Sequence, residues 1–178
     1  MSVWAWLKKV GSRKKDNAED PYSIVLLLRE PHFFTSSELE AAGERGFDIK
    51  FDGKQDPMYF VSQTGPITFL KAGKHAMHFL HARTPYLEPK DQVARKLPRE
   101  EQRIAWMAHS AWASVDMLNR RSDIPKREAY STLARFVLFL GDANCSGIYL
   151  PGEQIMMPND GTAEEGLRLM IRKEFFHR

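Results

Sequence analysis

Tyr22-Ser-Ile-Val-Leu-Leu-Leu-Arg29 is a continuous apolar run of strand length, rich in branched residues. Such a run predicts a central strand with both faces covered. Pro31 ends it. Beyond it, Thr35-Ser-Ser-Glu38 has capping-box spacing, in which a hydroxyl takes an orphan N–H and the glutamate reaches back. A short helix to about Arg45 is expected, with Gly46 at the left-handed cap. Met58 to Gln63 predicts a second strand, Thr64-Gly65-Pro66 a turn, and Ile67 to Lys71 the start of a third. Gly73 breaks or bulges that strand, which resumes through His81. Thr84-Pro85-Tyr86 leaves it.

From Lys90 to His109 the apolar residues Val93, Leu97, Ile104 and Ala108 recur at helical spacing. Pro98 interrupts, so one helix ends near Leu97 and another begins around Arg99. Trp112 to Leu118 alternates as a strand, with Trp112, Ser114 and Asp116 on one side and Ala113, Val115 and Met117 on the other. Ser122-Asp-Ile-Pro125 opens the next helix. Its stripe is Ala129, Leu133, Phe136, Val137 and Leu140, and Gly141 ends it. Gly147 to Leu150 and Gln154 to Met157 are short strands about the Pro151-Gly152 turn. Thr162-Ala-Glu-Glu165 repeats the capping-box spacing and starts a last helix with Leu167, Met170, Ile171 and Phe175 inward. The order β-α-β-β-α-β, followed by α-β and a C-terminal helix, predicts an α+β protein. The specific expectation is a ferredoxin-like (split βαβ) sandwich with helices mainly on one sheet face. One domain over 21–178 follows a basic, aromatic segment over 1–20.

The chain has 178 residues, 43% hydrophobic and 28% charged, which excludes a disordered or collagen-like protein. Cys145 is the single cysteine, so no intramolecular disulfide forms and nothing argues for an oxidising compartment. No stretch approaches the roughly 20 apolar residues that cross a bilayer. The apolar start, Met1 to Leu7, lacks the length and charge order of a signal peptide. A cytoplasmic location is expected, with peripheral attachment at the inner membrane face as a variant of it. The pI of about 9.0 looks like a pointer to nucleic acid. Yet Lys8, Lys9, Arg13, Lys14 and Lys15 are accompanied by no acid in 1–15, and outside them 21 basic residues face 23 acidic ones. The body therefore carries no basic bias, and nucleic acid is not the expected partner.

His75, His78 and His81 would share a face on a helix and could then hold a metal. On the strand expected here, His75 and His81 share one face and His78 points the other way, so partly exposed strand histidines are expected and no metal or other cofactor. His109 sits at a helix-to-strand junction, where the last carbonyls and the helix dipole favour it. Its sharper role would be general acid or base, with Asp116 or Cys145 as a distant partner. Cys145 follows a helix C-terminus, where the dipole opposes a thiolate, so a small buried residue is the better reading. Asp142, Asp160, Glu164 and Glu165 are the other acidic candidates. Glu164 and Glu165 fall in a helix first turn, where negative charge is stabilising anyway. Trp4, Trp6, Lys8, Lys9, Arg13, Lys14 and Lys15 could lie on an anionic membrane surface, or pack on the body or on a partner subunit.

The passage His109-Ser-Ala-Trp112-Ala-Ser-Val-Asp116, the helix after it and Gly147-Ile-Tyr-Leu-Pro151 together resemble an uncharacterised bacterial family, the domain of unknown function 4261 type. The similar region runs from about Tyr22 to Pro158. The resemblance implies a bacterial cytoplasmic α+β domain and supplies no activity or catalytic residue. Three functions are weighed. The first is a non-enzymatic binding or protein-interaction module, working with a protein partner or as a homo-oligomer, suggested by the aromatic termini Trp4/Trp6 and Phe175/Phe176. The second is a small-molecule enzyme with a pocket near His109, Asp116 and the 141–147 loop. The third is a peripheral membrane protein tethered by residues 1–15.

Overall fold

The computed structural model describes residues 20–64 and 67–177. The contact residues foreseen in 1–15 and the tip of the Thr64-Gly65-Pro66 turn lie outside them. The strands are β1 (Ser23–Leu28), β2 (Tyr59–Thr64), β3 (Ile67–Ala72), β4 (His75–Ala82), β5 (Ala111–Met117), β6 (Cys145–Leu150) and β7 (Ile155–Pro158). The helices are α1 (Ser36–Phe47), α2 (Lys90–Ala94), α3 (Glu100–Ala108), α4 (Lys126–Val137) and α5 (Thr162–Ile171). No helix among the described residues is long and apolar enough to cross a membrane.

All seven strands form one sheet in the order β2-β3-β4-β5-β1-β6-β7, with every adjacent pair antiparallel. The class is α+β, as the element order predicts. The ferredoxin-like sandwich is not confirmed, because the sheet is larger than that unit. Two local features enlarge it. Gly73, at φ +60°, and Lys74 form a two-residue turn that pairs Ala72 with His75, so the expected single strand is a hairpin. The chain then returns through α2 and α3 to place β5 between β1 and the β2–β4 meander.

β1 is the centre, as its apolar run predicts. Ile24, Leu26 and Leu28 face a large core with α1, α4 and α5, while Val25 and Leu27 face a smaller one with Ala94, Leu97, Ala105 and Trp106. Burying each such side chain contributes about 1.5–3 kcal/mol, so the strand is held from both sides. Helices thus lie mainly on one face, and α2 and α3 cover part of the other.

The caps differ in detail from the spacing rules. Thr35 does make the capping box with Glu38, but α1 runs past Gly46 and ends at Asp48, whose φ is 55°. Gly46 serves helix packing instead. A Cβ there would stand 2.3 Å from the carbonyl oxygen of Arg135, whose Nη1 donates to the Gly46 carbonyl at 2.8 Å. Gly46→Ala is expected to cost about 1–3 kcal/mol by forcing α1 off α4. A urea midpoint equal to wild type would refute this. At α5 the capping position is Gly161, not Thr162, and the Asp160 carboxylate accepts the Thr162 N–H at 3.0 Å. Cys145 belongs to β6 and not to the loop before it.

Candidate functional site

α2 and α3 pack against β1, β6 and β7, and no helix of the described residues lies on the same face of β2, β3 and β4. Strand alternation decides what this face carries. It holds Phe60 and Ser62 from β2, Ile67, Phe69 and Lys71 from β3, and Ala76, His78, Leu80 and Ala82 from β4. β5 adds Trp112, Ser114 and Asp116. Ile67 is 39% exposed, and Phe60, Phe69, His78 and Leu80 are half-buried. One cross-strand row reads Ser62, Phe69, His78, Asp116 and Ser23. Phe60 and Phe69 stand with centroids 5.8 Å apart, and Phe69 and His78 meet edge-on at 6.3 Å.

Asp116 is the chemical centre of the row. Burial pushes its carboxyl above the ordinary aspartate range, while hydrogen bonds from Ser23 and Ser114 and the neighbouring His78 pull it back. The Ser114 hydroxyl donates to it at 2.9 Å. Tyr86 covers the site from the 83–89 loop, its ring 5.3 Å from Trp112 and 6.0 Å from Tyr149. Burial, and after it the charge of Asp116, raises the Tyr86 hydroxyl to about 12. Burial raises Tyr149 as well. A carboxylate held among aromatic rings and hydroxyls in this way has lone pairs that can accept a further N–H from an incoming group.

His109, the foreseen acid or base, has no ring nitrogen left for chemistry. It is wholly buried. One nitrogen, Nδ1, bonds the carbonyl of Trp106, and Nε2 takes the N–H of Tyr86 at 3.0 Å. That pattern places the proton on Nδ1. The residue therefore anchors the loop that carries Tyr86, and Lys90 completes the junction by donating to the carbonyls of Met107 and His109 at 2.8 and 2.5 Å. Desolvation lowers the ring's pKa. Below about pH 6.5 the unfolded state binds a proton that the folded state resists. Stability is therefore expected to fall as pH drops below about 6.5, and His75 and His81, also lowered chiefly by desolvation, add to the slope. Chemical denaturation of wild type and His109→Asn between pH 7.5 and 5.5 checks this, and an unchanged slope in the variant would contradict it.

Cys145 is buried in the opposite core, its thiol donating to the Gly147 carbonyl at 3.3 Å and pushed up to about 11 by burial. A nucleophilic thiol needs the reverse shift. The structure does not bring His109, Asp116 and the 141–147 loop together. Asp116 pairs with Ser23 at one end of β1, while Cys145 pairs with Leu28 and Ser110 bonds Leu28 at the other. Five strand residues separate the ends by about 17 Å. The 141–147 loop instead clamps the chain after β1, with the Asn144 side chain bonding both the N–H and the carbonyl of Glu30.

The histidines of β4 divide between the faces as the strand reading predicts, but His75 is buried where partial exposure is expected. His75 and His81 share the core face, and His78 lies on the opposite one. His75 meets Glu128 at 3.2 Å and His81 packs edge-on against Phe33 at 4.6 Å. The described residues contain no cluster that could hold a metal ion. Asp142 and Asp160 accept nearby N–H groups, and Glu164 pairs with Arg168. Glu165 points outward.

Asp116 and its alternation with Ser114 and Trp112 are legible in the sequence. Ser23, Tyr86, Tyr149 and the aromatic row are not among the residues it singles out. Ser23 carried a signal, since it is the polar break in the apolar run. Tyr86 and Tyr149 carried none, because a loop and a distant strand deliver them. No family model, no curated protein and no solved structure matches the chain.

Proposed function

We propose that the chain is a non-enzymatic interaction module that takes a basic, apolar-bearing segment of a partner protein across the face of β2–β4 that no helix of the described residues covers, beside Asp116 of β5. One observation carries this reading: a desolvated carboxylate, Asp116, stands beside the half-buried Phe60, Phe69 and Leu80 on a face that no helix of the described residues covers over β2–β4. Aromatic residues around a buried charge are the composition of interface centres, and a cationic or amide N–H donor is what the Asp116 carboxylate would accept. The enzyme reading has less support, since both ring nitrogens of His109 and the thiol of Cys145 are committed to backbone groups. The membrane reading rests on 1–15, outside the described residues.

The test is quantitative capture from the host, comparing wild type with Phe69→Ser and Asp116→Asn, each first shown to be folded. A protein retained by wild type and reduced at least about tenfold by both variants is expected, as loss of a central contact costs about 2 kcal/mol. Equal retention by all three chains would overturn the reading. Retention of a second copy of this chain would replace the foreign partner by self-association.

A further inference from the structure

On the other side of β1, the ring of Tyr22 carries a guanidinium whose Nε has no hydrogen-bond partner among the described residues. The Cζ of Arg121 lies 4.5 Å from the Tyr22 ring centroid. Its Nε is buried and makes no hydrogen bond. A guanidinium offers five donors and no acceptor, so an unpaired one is an unmet demand for anionic oxygen. The acids nearby do not meet it. Glu153 is taken by Lys126 and by the Tyr130 hydroxyl, and no ion pair among the described residues joins Arg121 to Glu153 or Asp20. Arg121 borders a cleft of about 560 Å³ whose other walls are Asp20, Pro151, Gly152, Glu153 and Gln154. Gly152 makes the room: a Cβ there would stand 2.9 Å from Arg121 Nη2.

We infer that this cleft is a binding site for a small carboxylate, held by the Arg121 guanidinium over the Tyr22 ring. The volume is that of a small-molecule pocket. The planar fork of arginine matches the two oxygens of a carboxylate. Asp20 in the same wall disfavours a phosphate dianion more than a singly charged anion. The site does not depend on the uncovered face, which lies across the sheet from Tyr22.

The experiment is a titration of the full chain with sodium propionate, followed at the Arg121 side-chain Nε–H by NMR. Sodium chloride at matched ionic strength and inorganic phosphate are the other arms. A saturable propionate shift is expected, absent with chloride and at least about tenfold weaker with phosphate. Gly152→Ala, whose Cβ would stand 2.9 Å from Arg121 Nη2 and push the guanidinium aside, is expected to abolish the shift, and Arg121→Gln is expected to abolish propionate binding read by calorimetry. Equal responses to propionate and chloride, or no saturation, would reduce Arg121 to a packing partner of Tyr22. Tighter binding of phosphate, or a full response in Gly152→Ala, would overturn the carboxylate assignment.

Discussion

Trp106→Ala is expected to lower the unfolding free energy by about 3–5 kcal/mol, the usual cost of emptying a buried tryptophan site. Trp106 is wholly buried and fills the smaller core with Val25, Leu27 and Met156. Its ring lies 5.1 Å from His109 and 5.3 Å from Tyr149, so it also backs the loop that brings Tyr86 to Asp116. Domains of this size hold only about 5–15 kcal/mol in total, so the loss is a large part of it. Trp106→Phe should lose much less, because the indole N–H has no partner and its removal deletes an unmet donor. Urea denaturation of the three proteins decides the matter. Equal losses for Ala and Phe would mean that cavity volume is not the cause.

Asp116→Asn is expected to move stability and binding in opposite directions. The folded state raises the carboxyl above its unfolded value. Between those two values the unfolded state releases its proton while the folded state keeps it, so stability falls as pH rises and the penalty is complete above the folded value. Above the folded value the ionised group thus destabilises the fold. The amide keeps an acceptor for Ser114 and carries no charge, so the variant should gain about 1 kcal/mol, with a shallower stability profile above pH 4. Partner binding should weaken at least about tenfold. A site kept at a cost to stability is a mark of function. A variant that is both less stable and fully competent in binding would show that Asp116 only props the sheet.

Much of this was legible because hydrophobic periodicity is a local signal. The run from Ser23 to Leu28 could only be central, and the alternation of Trp112, Ser114 and Asp116 put the key carboxylate on the correct face. The larger sheet was hidden at Gly73, where a hairpin turn and a bulge look alike until Ala72 pairs with His75. Gly46 resembled a cap because the carbonyl it approaches belongs to Arg135, far along the chain. His109 resembled a catalytic base because its partners are backbone groups, which leave no trace in side-chain spacing. The uncovered face was illegible for the same reason: which strands α2 and α3 cover depends on tertiary placement.

The most direct test of that face is site-specific photo-cross-linking in the host. A photoreactive phenylalanine analogue stands in place of Phe69 in one chain and, as a control, in place of the outward-pointing Glu165 in another. The account predicts one discrete cross-linked product from position 69, cross-linked through a basic segment of its partner, diminished by Asp116→Asn and absent from position 165. The same products from both positions, or none from position 69 while 165 yields a partner, would contradict it.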